Sequence, residues 1–168
     1  EKHTPETLLE TIQRFKATVC FAAPVMYRGM AAIADRFDLS SLRKCVSAGE
    51  ALPDATRQAF KQATGIEILD GIGSTEMIHI FISHTPERVR RGATGYAIPG
   101  YRATVLDDEG NRCKPGVVGR LAVKGPTGCR YLADDRQKDY VQNGWNITGD
   151  AYRMDEEGYF FFQARTDD

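Results

Sequence analysis

The chain has 168 residues, 42% hydrophobic and 27% charged, which excludes a disordered tract and suits one ordinary domain or two small subdomains. Its 22 basic and 23 acidic residues leave a formal net charge of -1, so no global field gathers nucleic acid. No apolar run reaches the ~20 residues of a membrane helix, and no signal peptide opens the chain. Neither nucleic acid nor membrane is therefore an expected partner, and the expected compartment is the cytoplasm. The chain begins at Glu1 without an initiator Met and already reads as a helix entry, as in a processed or cut-down protein.

Thr4-Pro5-Glu6 supplies an N-cap, a proline at the first helical position and an early acid, and Leu8, Leu9, Ile12 and Phe15 follow at helical spacing. "ATVCFAAP", ending at Pro24, reads as a buried strand, and "PVMYRGMAAIADRF" as a second helix with Met26, Met30 and Ile33 along one face. "LRKCVSAGEALP" passes from strand into loop, and Pro53 opens a third helix that Gly65 stops. "IEILDGIG" is a strand entering a glycine turn, and "MIHIFIS" reads as extended again. This alternation predicts a partial parallel-sheet α/β subdomain over residues 1–92. Ligands of such sheets lie beyond the carboxyl ends of the strands, where "VSAGEAL" and "DGIGSTE" both fall. The basic cluster Arg88-Val89-Arg90-Arg91 reads as a solvated loop in preference to a phosphate or CoA patch.

Residues 93–168 have another texture. Extended runs alternate with Asp-Glu-Gly-Asn and Lys-Pro-Gly turn signals, predicting antiparallel hairpins and a small β-barrel-like subdomain. "YLADDRQKDYVQNG" suits helix or loop. "WNITGDAYRMDEEGYFFFQARTDD" is strand, turn and strand, with Asp155-Glu156-Glu157-Gly158 as the turn. The four cysteines, at positions 20, 45, 113 and 129, form no C-x-x-C pair and are expected as buried free thiols.

Two constellations carry chemistry. In "LDGIGSTEMIHIF", Gly71 and Gly73 allow close backbone approach, Ser74 and Thr75 bring hydroxyls suited to phosphate oxygens, and Glu76 offers a carboxylate to a hard cation. A dinucleotide fingerprint would need a third glycine where Glu76 stands, and a Walker loop would need a following G-K-[ST]. Taken alone, the stretch also reads as an unremarkable turn. Glu76-x-x-His79 resembles a metal pair, but on an extended segment the two side chains leave opposite faces, so His79 is expected to line a pocket or satisfy a core hydrogen bond. The second constellation is Asp150, after the Thr148-Gly149 turn, with Arg165 beyond an aromatic strand. This is either a structural ion pair or a carboxylate that accepts from a ribose diol while the guanidinium donates from the other side.

Together, "FAAP", "SAGEALP", "GSTE", "GRLAVKGPTGCRYL", "GWNITGD" and the terminal "ARTDD" resemble, in order and separation, the adenylate-forming (acyl-CoA synthetase, AMP-binding) superfamily. "DGIGSTEM" with "GPTGCRYLAD" is most similar to the aryl-CoA ligases acting on benzoate or 2-aminobenzoate. The resemblance implies a nucleotide site for ATP or AMP. Ser47, Ala48, Gly49, Glu50, Ala51 and Leu52, with Asp70, Gly71, Ile72 and Gly73, would form the adenine slot. Ser74 and Thr75 would serve the phosphates, Thr75 and Glu76 the catalysis, and Glu76 would hold Mg²⁺. Asp150 and Arg165 would hold the ribose hydroxyls. Tyr27, Met77 and His79 would form the acid pocket, and Asp167 the hinge between domains.

Many members carry an aromatic residue where Ile72 stands, which shifts the resemblance toward the aryl-CoA ligases. The family's phosphate loop, expected before Glu1, and its lysine-bearing small domain, expected after Asp168, lie outside the sequence. The implied reaction activates a small, preferably aromatic, carboxylic acid as an acyl-adenylate and passes the acyl group to CoA. The chain alone is expected to be inactive. The alternatives are a non-catalytic adenine-nucleotide-binding module or an adenylation domain of another member. A nucleotide-dependent oxidoreductase is disfavoured by the missing third glycine.

Overall fold

The computed structural model describes residues 3–166, which fall into two compact units. The first holds the chain up to Asp70 together with Thr85–Gly92, and the second holds Gly71–His84 and the chain from Ala93 onward. Asp167, the expected hinge, lies outside the described residues.

In the first unit, helix α1 (Pro5–Phe15) starts at a reciprocal cap. The Thr7 amide donates to Thr4 Oγ1 at 3.2 Å and the Thr4 amide to Thr7 Oγ1 at 2.9 Å. It stops at Lys16, which turns left-handed at φ 51°, and it buries Leu9 and Ile12. Strand β1 (Val19–Ala22), helix α2 (Pro24–Ala31), strand β2 (Lys44–Ser47), helix α3 (Asp54–Thr64) and the start of β3 (Ile68–Gly73) follow. Both strand pairings are parallel, with Cys20 opposite Cys45 and Cys45 opposite Ile68. Leu9, Ile12, Tyr27, Met30, Phe60 and Ile68 build the core with the two cysteines and Leu42. Helix α2 is shorter than its sequence suggests. Ile33 leaves the helical region (φ -133°, ψ 9°), and a tighter turn over Ala34–Arg36 replaces the expected continuation.

The second unit is antiparallel. The end of β3 pairs with β4 (Ile80–Ser83), and β4 with β5 (Tyr96–Ala97). A further barrel-like sheet runs in the order β10 (Phe160–Arg165), β9 (Trp145–Met154), β7 (Val118–Lys124), β6 (Arg102–Leu106), with β8 (Val141–Gln142) also paired to β9. The short helix α4 (Arg136–Tyr140) precedes β8, so the segment that suited helix or loop contains both helix and strand. Asp155 closes the β9–β10 turn, its Oδ1 accepting from the amides of Glu157 and Tyr159 at 3.0 and 2.9 Å. Phe81, Ile82, Val105, Leu121, Val123, Tyr152 and Phe160 fill the core with Met77. Trp145, the chain's one tryptophan, opens β9 with Lys124 Nζ 4.5 Å and the Arg112 guanidinium 5.6 Å from its ring centre. The expected architecture, parallel α/β followed by a small barrel-like sheet, is the one observed.

Three local expectations are corrected. Residues 76–79 are not extended: they turn, with Ile78 at φ 74°, and β4 begins only at Ile80. Alternation therefore says nothing about Glu76 and His79. Second, Thr148 and Gly149 form no turn between strands but lie inside β9. Arg120 pairs with Ala151 and Ala122 with Ile147, so β9 bulges there, and Gly149 takes φ 76°. Third, the cysteines are not uniformly buried. Cys20 and Cys45 are, Cys113 is half-buried and Cys129 is exposed. No described helix is long and apolar enough to cross a membrane.

Candidate functional site

A cavity of about 700 Å³ opens in the second unit, lined by Ser74, Thr75, Glu76, Tyr131, Asp150 and Arg165 among others. The turn after β3 supplies its first wall. Gly73 ends β3 against the next segment so closely that an added Cβ would sit 2.5 Å from the His79 carbonyl oxygen, so a side chain there would force the turn open. Ser74 Oγ then accepts from the Met77 amide at 3.2 Å, and Met77, fully buried, anchors the turn in the core. Thr75 and Glu76 are thereby presented at the surface of the cavity.

The opposite wall is the β9–β10 ladder. Asp150 and Arg165 are register partners, and Arg165 Nη1 donates to Asp150 Oδ1 at 3.2 Å. Asp150 is buried, whereas 45% of the Arg165 side chain is exposed. The Gly149 bulge turns this part of β9, and the Thr166 amide closes on the Gly149 carbonyl at 2.9 Å.

A third wall carries residues that sequence reasoning missed. The Tyr131 hydroxyl donates to Glu76 Oε1 at 2.6 Å, a short bond of the charge-assisted kind. That bond, joined by lesser help from Ser74 and Arg136 and opposed by burial, holds the Glu76 carboxyl below its ordinary range. The same bond pushes the Tyr131 phenol up to about 12. Arg136 lies over the Tyr131 ring at 4.8 Å, and Tyr140 meets that ring edge-on at 5.6 Å. The Tyr140 hydroxyl is buried without a hydrogen bond; burial first, then the charge of Glu76, pushes its phenol up, although Ser74 is near enough to draw it partly back. No spacing rule links Tyr131 to Glu76, 55 residues away; only the "GCRYL" resemblance touched this segment.

The other expected site residues are placed as follows. Ser47 ends β2 opposite Asp70, with its Oγ fully buried and lacking a partner, and Asp70 is 8% exposed. Ala48 is half-buried, while Gly49 (φ 94°), Glu50 and Ala51 form an exposed loop. Gly71 is buried opposite Ser83, and Ile72 packs partly on the second core. Of the acid-pocket candidates, Tyr27 sits fully enclosed in the first core, its hydroxyl donating to the carbonyls of Cys20 and Val46 at 2.9 and 3.0 Å. Met77 belongs to the second core, and His79 is exposed.

The model of the family described as AMP-binding enzyme matches residues 1–131. The chain belongs to the AMP-binding enzyme family. This AMP-binding chain is 35% identical to a benzoate–CoA ligase of Thauera aromatica over 173 residues, covering all of the chain and 33% of that ligase. It is 36% identical to an anthranilate–CoA ligase of Pseudomonas aeruginosa, covering 98% of the chain and 32% of the ligase. The crystal structure of the anthranilate CoA ligase AuaEII in complex with anthranoyl-AMP superimposes with a TM-score of 0.91 at 42% identity, over 98% of this chain and 32% of that one. The chain thus spans about a third of the length of the relatives it matches, members of a family of acyl-CoA ligases.

Proposed function

We propose that this chain is the nucleoside-binding part of an ATP-dependent ligase that converts an aromatic acid such as benzoate or 2-aminobenzoate to its CoA thioester. The observation that carries the reading is the cavity flanked by Thr75 and Glu76 on one side and the Asp150–Arg165 pair on the other. The names of the relatives support the acid class.

In this reading Asp150 accepts from the ribose hydroxyls while Arg165 donates to them. Thr75 donates to the α-phosphate. The substrate carboxylate oxygen attacks the α-phosphorus, the bond to pyrophosphate breaks, and an acyl-adenylate remains. A CoA thiolate then attacks the acyl carbon and AMP departs with the bonding pair. Glu76 suits Mg²⁺: its carboxyl is held ionised, and the Ser74 and Thr75 hydroxyls neighbour it in sequence. A cation held there by the one carboxylate would be completed by phosphate and water. Bound there, Mg²⁺ would neutralise phosphate charge. Ser47 at the end of β2 and its register partner Asp70, with the 48–51 loop and residues 71–73, are assigned to adenine, and Asp167 to the hinge.

Catalysis of this type rests on positioning and on charge stabilisation, and losing one such donor commonly costs ~10²–10³ in rate. The 168 residues alone are therefore expected to bind AMP without turnover. Calorimetric titration of the chain with AMP, and with NAD as the control, tests the reading. Binding of AMP that disappears in Asp150→Ala supports it. Unchanged affinity in that variant removes the ribose assignment, and preference for NAD removes the ligase reading. Pyrophosphate release from ATP and benzoate by the chain would overturn the expected inactivity.

A further inference from the structure

Two long-range side-chain bonds tie the segment after β7 to the turn after β3. Thr127 Oγ1 donates to the Met77 carbonyl at 2.7 Å, and the Tyr131 hydroxyl reaches Glu76 Oε1 at 2.6 Å. Tyr131 is itself held from several sides. Its amide donates to Gln137 Oε1 at 2.8 Å, Arg136 covers its ring at 4.8 Å, and Tyr140 meets its ring at 5.6 Å. Thr127 is likewise fixed by the Tyr101 hydroxyl at 2.5 Å. A flexible glutamate on a turn has three side-chain torsions to choose from. A short bond from a rigidly seated phenol removes most of that choice. A hydroxyl that serves only packing needs no carboxylate, and a phenylalanine would fill the same volume.

We propose that Tyr131 is the positioning residue for Glu76, fixing its carboxylate so that a divalent cation in the nucleotide complex finds it already oriented. The inference rests on the assignment of Glu76 as the cation ligand. Tyr131 is assigned to Glu76 and to no contact with substrate or cation. Its contribution is the orientation of the group that does, as outer-shell hydrogen bonds orient metal ligands generally. The anchor from Gln137 extends the same chain one residue further, to α4.

The test measures Mn²⁺ affinity by electron paramagnetic resonance in the presence of ATP, alongside AMP affinity without any divalent ion. Tyr131→Phe is expected to weaken Mn²⁺ binding by roughly 10–100-fold, with AMP affinity and the circular dichroism spectrum unchanged. In Glu76→Gln, adding Tyr131→Phe is expected to cost nothing more, because the group being positioned is already gone. Mn²⁺ affinity within twofold of the parent in Tyr131→Phe, together with loss in Glu76→Gln, overturns the positioning role while leaving the ligand assignment intact. Unchanged affinity in Glu76→Gln overturns both. Should Tyr131→Phe fail to fold, Gln137→Ala supplies the second reading. It releases the backbone of Tyr131, and several-fold weaker Mn²⁺ binding is expected; parent-like binding there overturns the proposal.

Discussion

Arg165 stands directly across the β9–β10 ladder from Asp150, its Nη1 3.2 Å from Oδ1, with the carboxylate buried and the guanidinium nearly half exposed. An ion pair with one partner in solvent contributes only ~0–1 kcal/mol. Asp150→Ala is therefore expected to move the urea midpoint little while lowering AMP affinity at least roughly tenfold, a loss equal to one charged hydrogen-bonding group. Calorimetry beside a denaturation curve separates the two effects. A large stability loss would mark the pair as structural.

The bulge that orients Asp150 depends on Gly149 at φ 76°. A Cβ in that region costs ~1–2 kcal/mol. Gly149→Ala is expected to lose about that much in chemical denaturation and, because the next residue is Asp150, to weaken AMP binding as well. Retained AMP affinity would show that the pair tolerates a flattened strand.

Alkaline pH should expose the first core. Burial first, then the neighbouring charge of Cys20, pushes the Cys45 thiol up to about 12, and burial raises Tyr27 well above the ordinary phenol range. Both groups are protonated in the fold, whereas an unfolded thiol ionises near ~8.5 and an unfolded phenol near ~10. The stabilisation is thus complete below about pH 8.5 and drains away as pH rises toward the folded values. The urea midpoint is expected to be level at neutral pH and to fall beyond that point, the earliest part of the fall being shallower in Cys45→Ala and persisting there because burial also raises the Cys20 thiol. A midpoint level through pH 11 would contradict the burial.

Thiol labelling provides a simpler check. Cys129 is exposed, Cys113 half-buried, and Cys20 and Cys45 are enclosed opposite one another. Under native conditions one thiol is expected to react fast and one slowly, with two more released by denaturant. Rapid native modification of Cys20 or Cys45 would refute the packing of β1 on β2.

Thr4-Pro5, Pro53 and Gly65 were readable because caps and stops act locally, through groups within four residues of one another. The β9–β10 turn was readable for the same reason, its Asp155 bonding only to residues 157 and 159. The Thr148-Gly149 signal misled because a glycine at positive φ serves a bulge as well as a turn, and only the register with β7 distinguishes them. "MIHIF" misled because Met77 had to turn inward to the core, which breaks the strand before Ile80. Tyr27 illustrates a harder case. Nothing local says whether a tyrosine one helical turn after a proline faces a ligand or spends its hydroxyl on two strand carbonyls. Tyr131 lay out of reach for the converse reason, its partner being 55 residues away.

Trp145, flanked by Lys124 and Arg112, stands five residues before Asp150 on the same strand. With no second indole in these 168 residues, their tryptophan emission, excited apart from that of the seven tyrosines, has a single origin, set between two cations on the strand that bears the carboxylate. A ligand that straightens or tightens β9 is expected to alter the field at that ring and shift its emission. The protein therefore carries its own optical gauge of the cavity, readable without label or engineered probe.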